Sequence, residues 1–237
     1  MHTVCVVSDL HLFCRRSRVH RHMEGLQEAI GDADFLILNG DTFDFRWTTM
    51  DTIEETVHEA IRWLDEIVVR HPHCHLHYVV GNHDNVMVFV NALDEYAASR
   101  PNVSWHPHYV RLGNALFLHG DVADRRMNSH QLTKSREKWH DDSKKAKLLH
   151  RVYDVAFAFR VHKAVHHVAF PSTLVAKRLM HYLESIGEGP DSGTEDVYFG
   201  HTHLAMSDYE HKGVRFHNSG APMPGLEFKI LRVPVKL

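Results

Sequence analysis

Asp9-Leu10-His11, Gly40-Asp41, Gly81-Asn82-His83-Asp84, His119-Gly120-Asp121 and Gly200-His201-Thr202-His203 share one kind of chemistry. Each supplies carboxylate, amide or imidazole groups, and each follows a run of apolar, strand-like residues. Oxygen and nitrogen donors without thiolate suit divalent cations, and a pair of such cations suits reaction at phosphorus. A lone Asp-x-His or Gly-Asp is commonplace and carries no argument by itself. The whole ordered set does, because gathering so many polar groups at one sheet edge is costly unless something binds there.

The apolar runs 3–8, 35–38 and 76–80 read as strands buried on both faces. Between them lie helical patterns over 19–30 and 51–70, the second with Ile53, Val57, Ile61, Leu64 and Val68 at helical spacing and Thr49 or Asp51 as its cap. This order describes a βαβαβ unit with a mostly parallel sheet. Past Pro101 the segments 103–105, 109–112 and 115–118 are short and β-like, with Gly113-Asn114 as a hairpin turn. The chain from Asp196 is β again, over 197–199, 213–217 and 226–233.

In an open α/β sheet, ligands bind beyond the carboxyl ends of the strands. Asp9, Asp41 and Asn82 stand at three such ends, and His119, His201 and His203 follow later strands. Alternation along a strand-like segment predicts that Asp9 and His11 point the same way, and a tight turn lets His201 and His203 reach adjacent metals.

Residues 124–185 break the β pattern and read as a helical insertion forming a cap or lid within a single domain spanning 1–237. Leu148, Val152, Val155 and Phe159 form one apolar stripe there, and Val161, Val165 and Val168 a second. From Lys144 to Tyr182 the stretch carries Lys144, Lys145, Lys147, Arg151, Arg160, Lys163, Lys177 and Arg178 against the single acid Asp154, interleaved with Tyr153, Phe157, Phe159 and Phe170. Such a helix clamps an anionic amphiphile or lies on an anionic membrane surface; it equally serves as a cap with a solvated basic face.

A chain of 237 residues with 43% apolar and 24% charged residues is an ordinary globular composition. The formal charge of −3 argues against a nucleic-acid coat, so no nucleic-acid partner is expected. The 24 histidines exceed what a metal centre can use, so most are expected to be surface or supporting groups. Three cysteines without a CxxC spacing point to a reducing compartment, and no signal peptide or membrane span is visible. Together these predict a cytoplasmic protein, and the basic insertion adds the expectation of peripheral contact with the inner face of the membrane.

The ordered motifs resemble the calcineurin-like metallophosphoesterase superfamily over essentially the whole chain. The resemblance implies an α/β protein of four layers, a two-sheet β-sandwich flanked by helices, with a dinuclear centre at the sheet edge. It implies that Asp9, His11 and His203 hold one metal, that Asn82, His119 and His201 hold the other, and that Asp41 bridges them. Two cations about 3.5–4 Å apart acidify a bridging water to the hydroxide nucleophile. Manganese is the first expectation, with iron or zinc compatible. By the family pattern His83 is the general acid, and Asp44, completing Gly-Asp-x-x-Asp, holds its imidazole. Asp84 and Asp121 are expected to support ligands rather than bind metal. Asn82, Arg46 and Trp47 are candidates for contact with substrate.

Within the superfamily the Ser-Asp-Leu-His-Leu start and the helical insertion resemble UDP-2,3-diacylglucosamine hydrolases. That implies a nucleotide-sugar lipid pyrophosphate as substrate. One departure is His83, where those hydrolases usually have Arg, which cannot act as a general acid. The alternatives are a phosphodiesterase or phosphomonoesterase on a small soluble substrate such as a cyclic nucleotide, and a non-enzymatic scaffold on the same fold.

Overall fold

The computed structural model describes residues 1–140 and 170–237. β1 (His2–Val7), β2 (Phe35–Asn39), β3 (His75–Val79) and β4 (Val103–His106) pair in parallel in that order. Their connections are α1 (Met23–Gly31), α2 (Ile53–Arg70) and α3 (Met87–Ser99), the crossovers that parallel pairing requires. β10 (Leu231–Val235) returns from the far end of the chain to pair antiparallel with β1. The second five-stranded sheet contains β5 (Tyr109–Leu112), β6 (Ala115–Leu118), β7 (Asp196–Phe199), β8 (Met206–His211) and β9 (Val214–Asn218). Its order is β5-β6-β7-β9-β8. Leu112 pairs with Ala115, so the expected Gly113-Asn114 hairpin is present.

Side-chain alternation builds the layers. Cys5 and Val7 face the helices together with Leu36, Leu38, Leu76 and Tyr78, and Leu26, Leu64 and Phe89 cover them. Val4, Val6, Ile37 and Val79 face the other way, onto Val110, Leu112, Phe117 and Tyr198 of the second sheet. Leu116, Leu118, Val197, Phe199 and Phe216 form the outer face of that sheet. They pack on α5 (Ser172–Ser185) through Val175, Leu179, Met180 and Leu183, and on Leu132 of α4 (Ser129–Glu137). The result is helix, sheet, sheet, helix, the four-layer sandwich expected.

Local starts differ in detail from the pattern read in the sequence. α2 begins at Ile53, two residues past Asp51, and Thr52 rather than Thr49 or Asp51 is its cap, with Oγ1 accepting from Glu55 N at 3.0 Å. The segment read as one helix over 19–30 divides into a 3₁₀ turn (Val19–Arg21) and α1. Of the stretch read as an insertion, α4 and α5 are helical, and α5 serves as the outer layer of the second sheet. The apolar stripes and the basic run from Lys144 to Lys163 lie outside the described residues. No helix among the described residues is long and apolar enough to cross a membrane.

Candidate metal centre

β1 ends at Val7, two residues before Asp9, so strand alternation is not what brings Asp9 and His11 together. The parallel pairing continues instead through the loops: Asp9 N donates to Gly40 O and His11 N to Asp41 O, both at 3.0 Å. Asp9 (φ 52°), His11 (φ 44°), Asp41 (φ 50°), His201 (φ 66°) and His203 (φ 57°) all adopt the left-handed backbone region. Non-glycine residues enter it at a cost of order 1–3 kcal/mol where strained, and such residues concentrate at binding sites because the surroundings hold them there. Here the left-handed turns curl side chains from separate strand ends toward one point.

Two glycines make room for that convergence. A Cβ on Gly200 would lie 2.3 Å from Asp9 Oδ2, and one on Gly81 would lie 2.2 Å from Asp41 Oδ1. Both carboxylates are also fixed by backbone donors. His201 N donates to Asp9 Oδ1 at 2.9 Å, and His83 N donates to Asp41 Oδ1 at 2.8 Å. Asp9, His11, Asp41, Asn82 and His119 are buried, whereas the side chains of His201 and His203 are 14% and 16% exposed at the mouth.

The donor atoms fall into two sets that share Asp41. Ligand atoms of Asp9, His11, Asp41 and His203 lie within 4.8 Å of one another, with His11 Nε2 3.1 Å from His203 Nε2. Asn82 Oδ1 is 3.1 Å from both His119 Nε2 and His201 Nδ1, which are themselves 3.3 Å apart. Asp41 Oδ2 faces both sets, at 3.3 Å from His119 Nε2 and 3.9 Å from His11 Nε2. Ligands held at about 2.0–2.2 Å around one ion stand roughly 3–3.5 Å from each other. The spacing and the donor types therefore fit a pair of divalent cations. The structure brings together all seven residues expected as ligands.

Electrostatics agree with a site built for positive charge. Burial opposes ionisation of Asp41, but the imidazoles of His119, His83 and His11 outweigh it and hold the carboxyl well below the usual range. Burial likewise disfavours charge on His119, and the Asp41 carboxylate overcomes it, raising the imidazole to about 10. Protons and metal ions compete for such donors.

Beside the first set, Asp44 lies between two rings. Its Oδ1 is 3.1 Å from His83 Nδ1 and its Oδ2 is 3.4 Å from His11 Nδ1. One buried carboxylate thus stands within ion-pair distance of both the expected acid and an expected ligand. Burial works against a charge on His83, and Asp44 and Asp41 reverse that, raising it to about 9. Asp84 accepts from Gly81 N (2.6 Å), Thr42 N (2.9 Å) and the Tyr78 hydroxyl (2.7 Å), so it shapes the loop that carries Asn82 and His83. Asp121 forms a buried pair with Arg136 at 2.7 Å. Trp47 donates its backbone N–H to Asp44 Oδ1 (3.1 Å), and Arg46 stacks on Trp139.

Two further residues belong to the site but have no motif to mark them. Asp124 Oδ1 accepts from His201 Nε2 at 2.7 Å, and Trp139 packs on His83 with ring centroids 5.0 Å apart. Each reaches its partner only through folding of the chain beyond His119.

No curated protein matches the chain. Among solved structures it is similar to a dimetal phosphatase from Danio rerio, at 12% identity and a TM-score of 0.44, over 94% of this chain and 88% of that one. The sequence model of the calcineurin-like phosphoesterases matches residues 2–205. The chain belongs to the calcineurin-like phosphoesterase family and is a metal-dependent phosphoesterase.

Proposed function

We propose that this centre hydrolyses the phosphoester or pyrophosphate bond of an anionic substrate with an apolar portion, of the UDP-2,3-diacylglucosamine type. The observation that carries the hydrolytic part is Asp41 Oδ2 facing both ligand sets, with Asp9, His11 and His203 on one side and Asn82, His119 and His201 on the other. Two bound divalent cations, manganese being our first choice, supply an acidified water and positive charge for the phosphoryl oxygens. The chain's own residues do the rest. Asp41, fixed by His83 N, keeps the two sets in register. Water, releasing one proton to solvent, adds through its oxygen to phosphorus as the bond to the leaving oxygen breaks in line. That oxygen takes the bond's electron pair and a proton from His83, whose Nδ1 is turned toward Asp44.

The apolar portion is supported by a cavity of about 670 Å³ that begins at His203. Phe170, Val175, Leu204, Ala205, Met206 and Leu226 line it, enough for an acyl chain or an aromatic group. Contact of the basic run 144–163 with an anionic membrane, and a cytoplasmic location, belong to the same proposal. Buried Cys5 and Cys74 remain thiols, in keeping with a reducing compartment.

A second reading is a small soluble phosphodiester or monoester, and His83 favours it. An imidazole acid suits a poor alkoxide leaving group, whereas a pyrophosphate's phosphate leaves without one. The deciding experiment is a manganese-loaded substrate panel comparing an acylated nucleotide sugar, its deacylated counterpart, a cyclic nucleotide and an aryl phosphate. The acylated compound is expected to turn over fastest. Preference for the deacylated or cyclic compound overturns the lipid reading. In every case Asp41→Ala is expected to lower turnover by about 10³-fold or more, since metal charge stabilisation is worth several kcal/mol. Normal turnover by folded Asp41→Ala overturns the dinuclear reading.

A further inference from the structure

We infer that Trp139 is a positioning residue for the His83 imidazole and, with Arg46, forms the wall that the leaving group meets. The inference rests on the reading of His83 as the acid.

α4 is short and polar, and only Leu132 and Arg136 among its residues are buried. Its hold on the body comes from Arg136, whose Nε and Nη2 donate to Asp121 Oδ2 (2.8 Å) and Oδ1 (2.7 Å) while Nη1 donates to Pro107 O. The pair is buried, with side chains 4% and 9% exposed, and bidentate geometry fixes orientation as well as distance. Asp121 lies two residues after His119, so the helix is tied to the strand end that carries a metal ligand.

The chain just past the helix then turns over the other side of the site. Trp139 N donates to Arg136 O at 2.8 Å. Its ring sits 5.0 Å from the His83 ring at 43°, and Arg46 Cζ stands 4.3 Å from its centroid. Arg46 Nη2 donates to Lys138 O (2.9 Å), and Asn85 Nδ2 donates to Arg136 O (3.2 Å). Loops following β2 and β3 are thereby stitched to the end of α4. Arg46 Nε is buried and has no hydrogen-bond partner among the described residues.

His83 needs such a neighbour. Among the described residues Asp44 Oδ1 lies 3.1 Å from Nδ1 as an ion-pair contact that leaves Nδ1 without a hydrogen bond, and His11 touches the ring edge-on, with centroids 4.9 Å apart at 85°. An imidazole attracted to a carboxylate by charge without a directed hydrogen bond can swing, and the indole against its face limits the swing. Misplacement of a proton donor by about 1 Å can cost about a hundredfold. The Arg46 guanidinium over the indole adds positive charge to this wall beside His83, suited to an anionic leaving group.

The test compares Trp139→Ala, Trp139→Leu and Trp139→Phe with His83→Ala and the unaltered protein, all loaded with manganese and checked for equal metal content. Each is assayed on a nitrophenyl phosphate and on an alkyl phosphate of the same charge. Trp139→Ala and Trp139→Leu are expected to lose about tenfold more kcat on the alkyl ester, whose alkoxide needs the proton, and Trp139→Phe is expected to recover most of that loss. His83→Ala should show the same bias, larger. If His83→Ala is biased and the Trp139 variants lose equally on both esters, the indole is a structural group and the inference fails. If His83→Ala itself shows no bias, the acid reading fails and takes the inference with it.

Discussion

The carboxylate of Asp124 accepts a hydrogen bond from His201 Nε2 at 2.7 Å, leaving Nδ1 turned toward Asn82 and His119. A carboxylate behind a ligating histidine fixes the tautomer and the ring, and its loss typically costs 10–100-fold in metal affinity. The Asp124 side chain is 53% exposed, so water can partly replace it. We expect Asp124→Ala to weaken one of two metal-binding events by about tenfold, at the lower end of that range. Metal titration by calorimetry checks this. Two unchanged binding events would show that the contact does not orient His201.

Gly200 is required by its neighbours rather than by its own backbone. A methyl group there would lie 2.3 Å from Asp9 Oδ2 and 2.7 Å from Ser8 Cβ. Gly200→Ala must push Asp9 away from His203 or open the turn carrying His201. Overpacking of this kind costs about 1–3 kcal/mol. A lowered Tm with metal content reduced from two ions toward one is the expected outcome; full metal content at unchanged Tm would contradict it.

The Arg136–Asp121 pair anchors α4 through charge in a buried setting. Removing one partner strands the other, at about 3–5 kcal/mol, while replacing both with apolar groups is often far less harmful. Arg136→Met alone is therefore expected to destabilise more than Arg136→Met combined with Asp121→Leu. Chemical denaturation of the three proteins measures the difference. Equal losses for single and double variants would mean that the pair contributes by packing, not by charge.

A second group of histidines lies away from the metal centre. His77 Nδ1 is 3.1 Å from His106 Nε2, the His75 ring is 4.6 Å from that of His77, and His75 Nε2 meets Ser104 Oγ at 2.9 Å. Phe35 packs on His75 and His77 from β2, and the His2–Asp34 pair lies beyond it. Burial, with His75 and His106 adding to it, pushes His77 down to about 3, and burial also lowers His75 and His106. These native pKa values lie below that of the unfolded chain, about 6.5, so the unfolded state binds more protons. Their contribution is complete above about pH 6.5 and declines as pH falls toward 3. Chemical unfolding of the unaltered protein and His77→Leu tests this. The imidazoles raised at the metal centre are common to both proteins, so the comparison isolates His77: chelator-treated His77→Leu should lose less stability between pH 6.0 and 5.0 than the unaltered protein. An identical loss in that variant would remove His77 from the effect.

Much of the site was legible because each ligand sits where a buried strand stops. Asp41 closes the run 35–38 and Asn82 closes 76–80, and a parallel sheet delivers such ends to one rim. Asp84 was legible as a supporting group for the same reason, two residues past Asn82 in the same loop. The layers follow from alternation, since β1 places Val4 and Val6 on one face and Cys5 and Val7 on the other.

Tertiary structure alone decided the rest, because local pattern encodes period and not partner. The left-handed backbone of Asp9, His11, Asp41, His201 and His203 is unfavourable for each residue alone and is held only by pairing between loops. Asp124 finds His201 across 77 residues of chain, and Arg136 carries Trp139 onto His83 through a buried pair that no spacing announces. Ser172–Ser185 reads as part of a cap by composition, yet it covers the second sheet because that sheet's outer face needs an apolar partner. Residue types determined which chemistry the chain could perform. Packing of distant segments determined which side chains are aimed to perform it.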